Sequence, residues 1–454
     1  MHNLRGKSYQ PLRSHPGNVS RVHQIVIVGG GAGGLELATR AGDRFGRTGR
    51  AAITLVDMNE THLWKPLLHE VAAGSMDIHA HQLDYLAQAR WHHFNFCCGA
   101  LEGLDRARRE ITVAPTLDER GVEVIPRRKL PYDTLVIAIG SVANTFGVPG
   151  VAEHAYALES AGEADRFHRR LINACIQANY RPGGEAARLR VVIVGGGATG
   201  IELAAELHNT TRVLAAYGLE NIDPERFLEV TLLDAGPRVL PMLPERIAGA
   251  VTRALRSIGV RVACSEQVVE VAQREVRTRS GNVFVADLTV WAAGIKGADL
   301  LRGLDGLETS RINQLVVLPT LQTTRDPDIF ALGDCSALQR EGARPPVPPA
   351  AQAAHQQASH LLRSLARRLD GLSLAPFRYR DFGSLVSLGE YSTIGSLMGF
   401  LSGKSYRIEG WFARFMYLSL YKMHLYALHG PIGVILDSLA RFLKRGTEPR
   451  VKLH

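Results

Sequence analysis

Two copies of one short pattern constrain this chain more than any other feature. Ile25-Val26-Ile27-Val28 is an unbroken apolar run closed by Gly29-Gly30-Gly31-Ala32-Gly33-Gly34, and Val191-Val192-Ile193-Val194 is closed by Gly195-Gly196-Gly197-Ala198-Thr199-Gly200. An apolar run without alternation is the pattern of a parallel strand covered on both faces. Helical spacing follows each loop, over Leu35 to Arg44 and Ile201 to His208, and strands return at Ala52 to Val56 and Val230 to Leu233. Each copy predicts a strand–helix–strand unit, so the chain holds an internal duplication of that unit and not a solenoid of short repeats.

Three glycines in each loop fall on G-x-G-x-x-G: Gly29, Gly31 and Gly34, then Gly195, Gly197 and Gly200. The first permits a tight turn, the second lets backbone approach a pyrophosphate, and the third lets helix pack close to strand. The helix N-termini, at Ala32-Gly33 and Ala198-Thr199, offer free N–H groups to an anion. An acid ends each following strand, where it can accept from a ribose hydroxyl: Asp57, 23 residues past Gly34, and Asp234, 34 residues past Gly200. The longer second spacing predicts an insertion over Thr210 to Phe227. Asp234 repels a 2′-phosphate and so favours NADH, while Arg238 nearby keeps NADPH open. Glycines serving tight turns alone would require two independent coincidences of strand, helix and acid.

Matching strands ending in glycine, Leu135 to Gly140 and Leu288 to Gly294, bring Ala138, Gly140, Ala293 and Gly294 to strand ends beside the two loops. Two dinucleotide sites in one chain have a direct chemical use: a resident FAD accepts hydride from a nicotinamide nucleotide. Thr324-Arg325-Asp326-Pro327-Asp328-Ile329-Phe330-Ala331-Leu332-Gly333-Asp334 resembles the second flavin motif of two-dinucleotide-binding flavoproteins. That resemblance makes Asp334 a flavin ligand; a solvated acid at a strand end is the plainer alternative.

Length and composition narrow the class further. At ~150 residues per domain, 454 residues suggest about three units. With 46% apolar and 21% charged residues, the chain can bury a large core, which excludes disorder and collagen-like repeats. No run of 18 apolar residues argues for a transmembrane helix. Five cysteines contain no C-x-x-C or C-x₄-C, which counts against a disulfide scaffold, a zinc ribbon and a disulfide reductase. The vicinal Cys97-Cys98 pair, and Cys175, Cys264 and Cys335, are expected to be structural, and no metal site is expected. The electron acceptor is then not a thiol. The net charge of +9 asks for an anionic partner: nucleotide, lipid or nucleic acid.

At this point the chain resembles a known family, the type II NADH:quinone oxidoreductases, in their proteobacterial membrane-associated form. The resemblance runs from about Gln24 to His454. It is carried by both glycine loops, by His62-Leu63-Trp64-Lys65-Pro66-Leu67-Leu68-His69-Glu70-Val71-Ala72, and by Ala351-Gln352-Ala353-Ala354-His355-Gln356. Gly383 to Gly389 and the closing Pro449 to His454 resemble the proteobacterial members in particular. The resemblance implies that the A-Q-x-A-x-Q stretch, with Ala351, Gln352 and Gln356, lies by the isoalloxazine ring and the quinone entrance. Gln352 and Gln356 are four apart, on one helix face, and neutral amides can hydrogen-bond a quinone carbonyl without adding charge. Lys65 would neutralise flavin phosphate or stabilise an anionic reduced flavin, with a solvated lysine as the alternative. Glu202, two residues past Gly200, corresponds to a family glutamate near the nicotinamide that has been proposed in proton delivery; a capping acid is the alternative. One departure puts a lysine-dependent proton route in doubt, because Glu390, Tyr391 and Ser392 follow Gly389 where some relatives carry lysine.

The tail locates most of the charge. From Lys404 onward there are nine Lys/Arg against three Asp/Glu, so +6 of the +9 lies there among aromatics. Trp411 to Leu428 and Ile432 to Leu443, separated by Gly430-Pro431, are each too short to span a ~30 Å hydrocarbon core and suit an interfacial helix on anionic lipid. Packing on the body or on a second copy is the alternative, and a homodimer with paired anchors satisfies both. Nucleic acid is disfavoured, because its grooves are polar as well as basic.

The expected fold is α/β: two Rossmann-like dinucleotide-binding domains on a glutathione-reductase-like flavoprotein scaffold, plus a C-terminal amphipathic helical membrane anchor. The expected organisation is a basic tail over 1–23, an FAD-binding domain split over 24–158 and 309–384, an NADH-binding domain over 159–308, and a membrane-association region over 385–454. The expected chemistry is hydride transfer from NADH to FAD, then two electrons to a membrane quinone without proton pumping. The expected location is peripheral, on the cytoplasmic face of the bacterial inner membrane. Alternatives are a sulfide:quinone oxidoreductase, which wants paired redox cysteines, and an NADH-binding regulatory flavoprotein with nucleic-acid affinity.

Overall fold

The computed structural model describes residues 21–180, 188–216, 223–338, 346–387, 393–398, 405–409 and 411–444. The expectations for the basic tail before 21, for Gly389 to Ser392 and for Pro449 to His454 lie outside the described residues.

The duplication is visible as two five-stranded parallel sheets. The first has order β10-β4-β1-β2-β3, where β1 is His23–Val28, β2 Ala51–Asp57, β3 Asn95–Cys98, β4 Thr134–Ile137 and β10 Ile329–Ala331. The second has order β5-β9-β6-β7-β8, where β5 is Ala155–Tyr156, β6 Leu189–Val194, β7 Leu228–Asp234, β8 Arg261–Cys264 and β9 Leu288–Trp291. Their registers correspond: Val28 lies between Val56 and Ile137, and Val194 between Leu233 and Trp291. Apolar runs became central strands because both faces are covered. Ile25 to Val28, Leu135 to Ile137 and Ile329 to Ala331 are all buried, as are Val191 to Val194 in the second sheet. In each sheet the chain leaves the central strand to one side and returns on the other, which opens a crevice at the strands' C-terminal ends, where open α/β sheets bind ligands.

Helix α1 (Ala32–Ala41) follows the first loop and α3 (Ala198–Ala216) the second. The expected insertion is in part an extension of α3, which runs on through Thr210 to Ala216. Between β2 and β3 the chain makes an excursion whose short helix α2 (Leu68–Ala73) leaves the first domain. Trp64, Leu67, Leu68, Val71 and Ala72 are buried in the second domain's core beside Leu203 and Leu207. The domains are thus interleaved beyond the expected split. Both switch points also fall earlier than 158/159 and 308/309. β5 is already an edge strand of the second sheet, and Leu301, Leu304 and Leu307 are buried in the first domain's core. A two-residue strand leaves no periodicity to read, so the sequence placed these limits late.

Helix α4 (Ala351–Leu369) packs across α1. A three-stranded antiparallel sheet then precedes the last helix: β11 Gly383–Ser387, β12 Thr393–Met398 and β13 Ser405–Glu409. The helical part of the tail thus follows a small sheet that the sequence did not indicate. Helix α5 (Trp411–Lys444) is broken at Gly430, whose φ of 69° and ψ of −178° are non-helical, with Pro431 next, as the sequence predicted. Among the described residues no helix is long and apolar enough to cross a membrane.

Candidate functional site

The two glycine loops are built by one set of rules. Gly29 has φ +102°, and a Cβ there would stand 2.4 Å from the Ala138 carbonyl oxygen; a Cβ on Gly34 would stand 1.8 Å from Gly29 O. In the second loop Gly195 has φ +117° and 2.3 Å to Ala292 O, and Gly200 has 2.1 Å to Gly195 O. These four glycines are demanded by the fold. Gly31 and Gly197 are not: neither has a left-handed φ, and a Cβ on either meets no described atom within 4 Å. The protein itself leaves room for a side chain at both positions. A glycine there fits a ligand that must lie against the backbone, which is the role a dinucleotide pyrophosphate gives the second glycine.

The acids hold these loops in the same way. Asp57 Oδ2 accepts from Gly30 N at 2.6 Å, and Asp234 Oδ2 accepts from Gly196 N at 2.7 Å. The other oxygens accept from Asn59 N at 2.8 Å and Gly236 N at 2.7 Å. Asn59 Nδ2 also donates to Asp57 Oδ1, at 3.0 Å, so it is Asp57 Oδ2 and the Asp234 oxygens that keep a second lone pair for a ribose hydroxyl. Arg238 is spent elsewhere. Its guanidinium donates to Leu240 O, Pro241 O and Leu243 O, which removes the support it lent to NADPH.

Asp334 follows β10 at the edge of the first crevice. Burial pushes its carboxyl up, against the Ser141 hydroxyl that donates to Oδ2 at 3.0 Å and the nearby charge of exposed Lys65. Two glutamines that the sequence did not single out fix this turn. Gln357 Oε1 accepts from Gly333 N at 2.7 Å, and Gln314 Nε2 donates to Asp334 O at 2.8 Å. Gly140, with φ +73°, and Ala138 close the opposite side of the crevice, and Gly294, with φ +128°, and Ala293 close the equivalent point of the second.

Helix α4, packed on α1, carries Ala351, Gln352 and Gln356, with Ala351 against the second domain's core. Gln356 is engaged at both ends of its amide: Nε2 donates to Arg380 O at 2.8 Å and Oε1 accepts from Arg380 N at 3.0 Å. Between them His355 Nδ1 lies 2.6 Å from Oε2 of Glu36, a fully buried residue of α1. Arg40 donates to the other oxygen at 2.7 Å. Glu202 occupies the place in α3 that Glu36 occupies in α1, and is also buried. Its Oε2 lies 3.6 Å from Nδ1 of His69, on α2, whose imidazole burial pushes down to about 4. The excursion therefore lays an uncharged histidine on the second domain's acid.

Three residues to which the sequence assigned no role meet at the first loop. Gly30 O accepts from Tyr85 OH at 2.8 Å and from His62 Nδ1 at 2.9 Å, and His62 Nε2 lies 3.0 Å from His424 Nε2 on α5. No local pattern announces such a group, because its members come from separate parts of the chain. Comparing α1 with α3, by contrast, points directly to Glu36.

All five cysteines are free; Cys97, Cys175 and Cys335 are buried, and burial pushes the Cys175 and Cys335 thiols up to about 12. Among the described residues no group of His, Cys, Asp and Glu could hold a metal ion. The site is thus two similar dinucleotide crevices, joined through α2, with no thiol pair between them.

This arrangement defines a class, and the family model described as pyridine nucleotide-disulphide oxidoreductase matches residues 23–358. Within it the chain is 42% identical over 443 residues to the type II NADH:quinone oxidoreductase of Haemophilus influenzae, covering 95% of this chain and 99% of the relative. The chain belongs to the type II NADH:quinone oxidoreductase family, flavoenzymes that carry electrons from NADH to a quinone. In fold it matches the NDH2 of Plasmodium falciparum, solved in complex with NADH, with TM-score 0.79 and 18% identity over 96% of this chain and 100% of that one. The sulfide:quinone oxidoreductase of Aquifex aeolicus shares the fold with TM-score 0.68 and 16% identity, covering 94% and 96%.

Proposed function

We propose that the first crevice holds FAD and the second receives NADH, and that quinone is reduced on the face of the flavin reached past α4, without proton pumping. The observation that carries this reading is the paired vacancy beside Gly31 and Gly197, each set over an acid-braced loop. Gly29, Gly31, Ala32, Gly33, Gly34, Asp57, Ala138, Gly140, Asp334 and Lys65 would hold the flavin, with Ala351 and Gln352 beside its ring. Gly195, Gly197, Ala198, Thr199, Gly200, Asp234, Ala293 and Gly294 would hold NADH, with Glu202 near the nicotinamide. When bound, FAD supplies the two-electron relay between nicotinamide and quinone, chemistry that no side chain offers.

The chain's own residues supply alignment and charge. N–H groups at the start of α1 and α3 would hold the two pyrophosphates, Asp57 and Asp234 would orient the riboses, and Ser141 fixes Asp334. Gln352 is the amide we assign to the quinone, on the family resemblance of its A-Q-x-A-x-Q stretch, and Gln356 ties α4 to the extended segment at Arg380. Glu202 beside His69 is positioned to hold or pass a proton.

The lipid contact we assign to the outer half of α5. Ile432, Ile435, Leu436, Leu439 and Leu443 are exposed at helical spacing, and the surrounding sequence is basic. This supports peripheral attachment to an anionic membrane surface; we assign the cytoplasmic face of the bacterial inner membrane as its side and a homodimer with paired anchors as its assembly. Stopped-flow mixing tests the whole reading. NADH, and not NADPH, should bleach the flavin, and a ubiquinone analogue should restore its colour; bleaching without restoration overturns it.

A further inference from the structure

We infer that His424, on the C-terminal helix, is a positioning residue for the flavin pyrophosphate, acting through His62 and the Gly30–Gly31 peptide. The inference rests on the assignment of the first loop to FAD. The tautomers follow from the contacts. Gly30 O can only accept, so the His62 nitrogen 2.9 Å away, Nδ1, carries its proton. His62 is 3% exposed and burial holds it uncharged, its imidazole pushed down to about 4, so Nε2 is bare. His424 Nε2, 3.0 Å away, must then be the donor. His424 is itself buried and lies against Trp64, with ring centroids 4.2 Å apart.

The reach of this contact comes from peptide geometry. In a planar trans peptide the carbonyl and the next N–H point in opposite directions. Two donors, Tyr85 OH and His62 Nδ1, hold the Gly30 carbonyl on the buried side of the loop. The Gly31 N–H is thereby aimed at the exposed side, where a Cβ on Gly31 would meet open space. Among the described residues no group accepts from it. It is an N–H at the mouth of α1, held ready for an anion by a histidine of α5.

The test is the rate at which holoenzyme releases FAD into excess buffer, read as the rise in flavin fluorescence. His424→Phe keeps a ring against Trp64 but has no donor, and His424→Gln keeps a donor. We expect His424→Phe and Tyr85→Phe to release FAD roughly tenfold faster, the effect of losing one buried hydrogen bond. His424→Gln should lie close to the native rate. A native rate in His424→Phe overturns the inference, as does a rate in His424→Gln equal to that of His424→Phe, which would mean that packing alone matters. Gly31→Val, expected to fold without FAD, separates the two levels. If it keeps FAD, the assignment of the loop fails and the inference with it; if it loses FAD while His424→Phe behaves as native, only the positioning role fails.

Discussion

Glu36 and Glu202 stand at the same place in two copies of one unit, two residues past the third glycine, and both are buried. One turn further on, the first copy has Arg40 and the second Glu206, also buried. The duplication has thus been used in opposite senses. Glu36 is tied by Arg40 and by His355 of α4, so it joins the flavin helix to the helix that carries Gln352. Glu202 has a second carboxylate one turn away and an uncharged His69 in front of it, the surroundings on which its proposed proton role rests.

Removing the tie at Glu36 is expected to loosen α4. Glu36→Ala leaves Arg40 and His355 without their buried partner, and both are about one-third exposed, so water recovers part of the cost. A loss of about 2 kcal/mol is expected. Urea unfolding of the holoenzyme checks it, and an unchanged midpoint would show that the tie contributes nothing.

Gly197→Val should separate the two cofactors. A Cβ there meets no described atom within 4 Å, so the fold and the bound FAD should survive. NADH affinity should fall by roughly a hundredfold, the scale of 2–3 kcal/mol. Fluorescence titration of NADH on flavin-replete protein reads it directly.

Asp234 sets the choice of nucleotide in this reading. Asp234→Asn keeps an acceptor for one loop N–H but removes the charge that opposes a 2′-phosphate. The ratio of kcat/KM for NADH to that for NADPH should fall by at least tenfold, and steady-state rates with both nucleotides measure it.

Acid should destabilise the fold through two buried histidines. His62 and His69 are each pushed down to about 4 by burial, against 6.5 when free. Between those values the unfolded chain binds protons that the folded chain refuses, so stability falls as pH falls from 6.5 and these two contributions level off near 4. Urea midpoints across this window should decline, and His69→Gln should flatten the decline. Equal slopes in the two proteins would contradict the assignment.

The break at Gly430 predicts where the tail can be cut. Leu425 and Leu428 are buried with His424, whereas the apolar residues exposed beyond Pro431 face outward. A chain ending at Gly430 should keep FAD and its reduction by NADH but no longer sediment with anionic vesicles. A chain ending before Trp411 should lose its flavin as well.

The parts of this protein that were legible in its sequence are the ones built from neighbours. Strand, glycine loop, helix and acid lie within one short stretch, and their spacing dictates both crevices before any long-range contact forms. Asp334 was proposed from a local motif for the same reason. Gln356 has the right spacing, yet the backbone of Arg380 occupies its amide, and no spacing rule reports what the rest of the fold will place opposite a side chain. The early edge strand at Ala155–Tyr156 is set by pairing with Leu288–Trp291, not by its own two residues.

The contact between His62 and His424 also has a consequence for how the protein is made. The two histidines are 362 residues apart, and at about 5–20 residues per second the ribosome needs roughly 20 to 70 s to produce the second after the first. Throughout that interval the first glycine loop can form its turn, but its carbonyl lacks the second histidine behind His62. If His424 positions the loop as inferred, a nascent chain that stalls before α5 should release flavin faster than the finished protein.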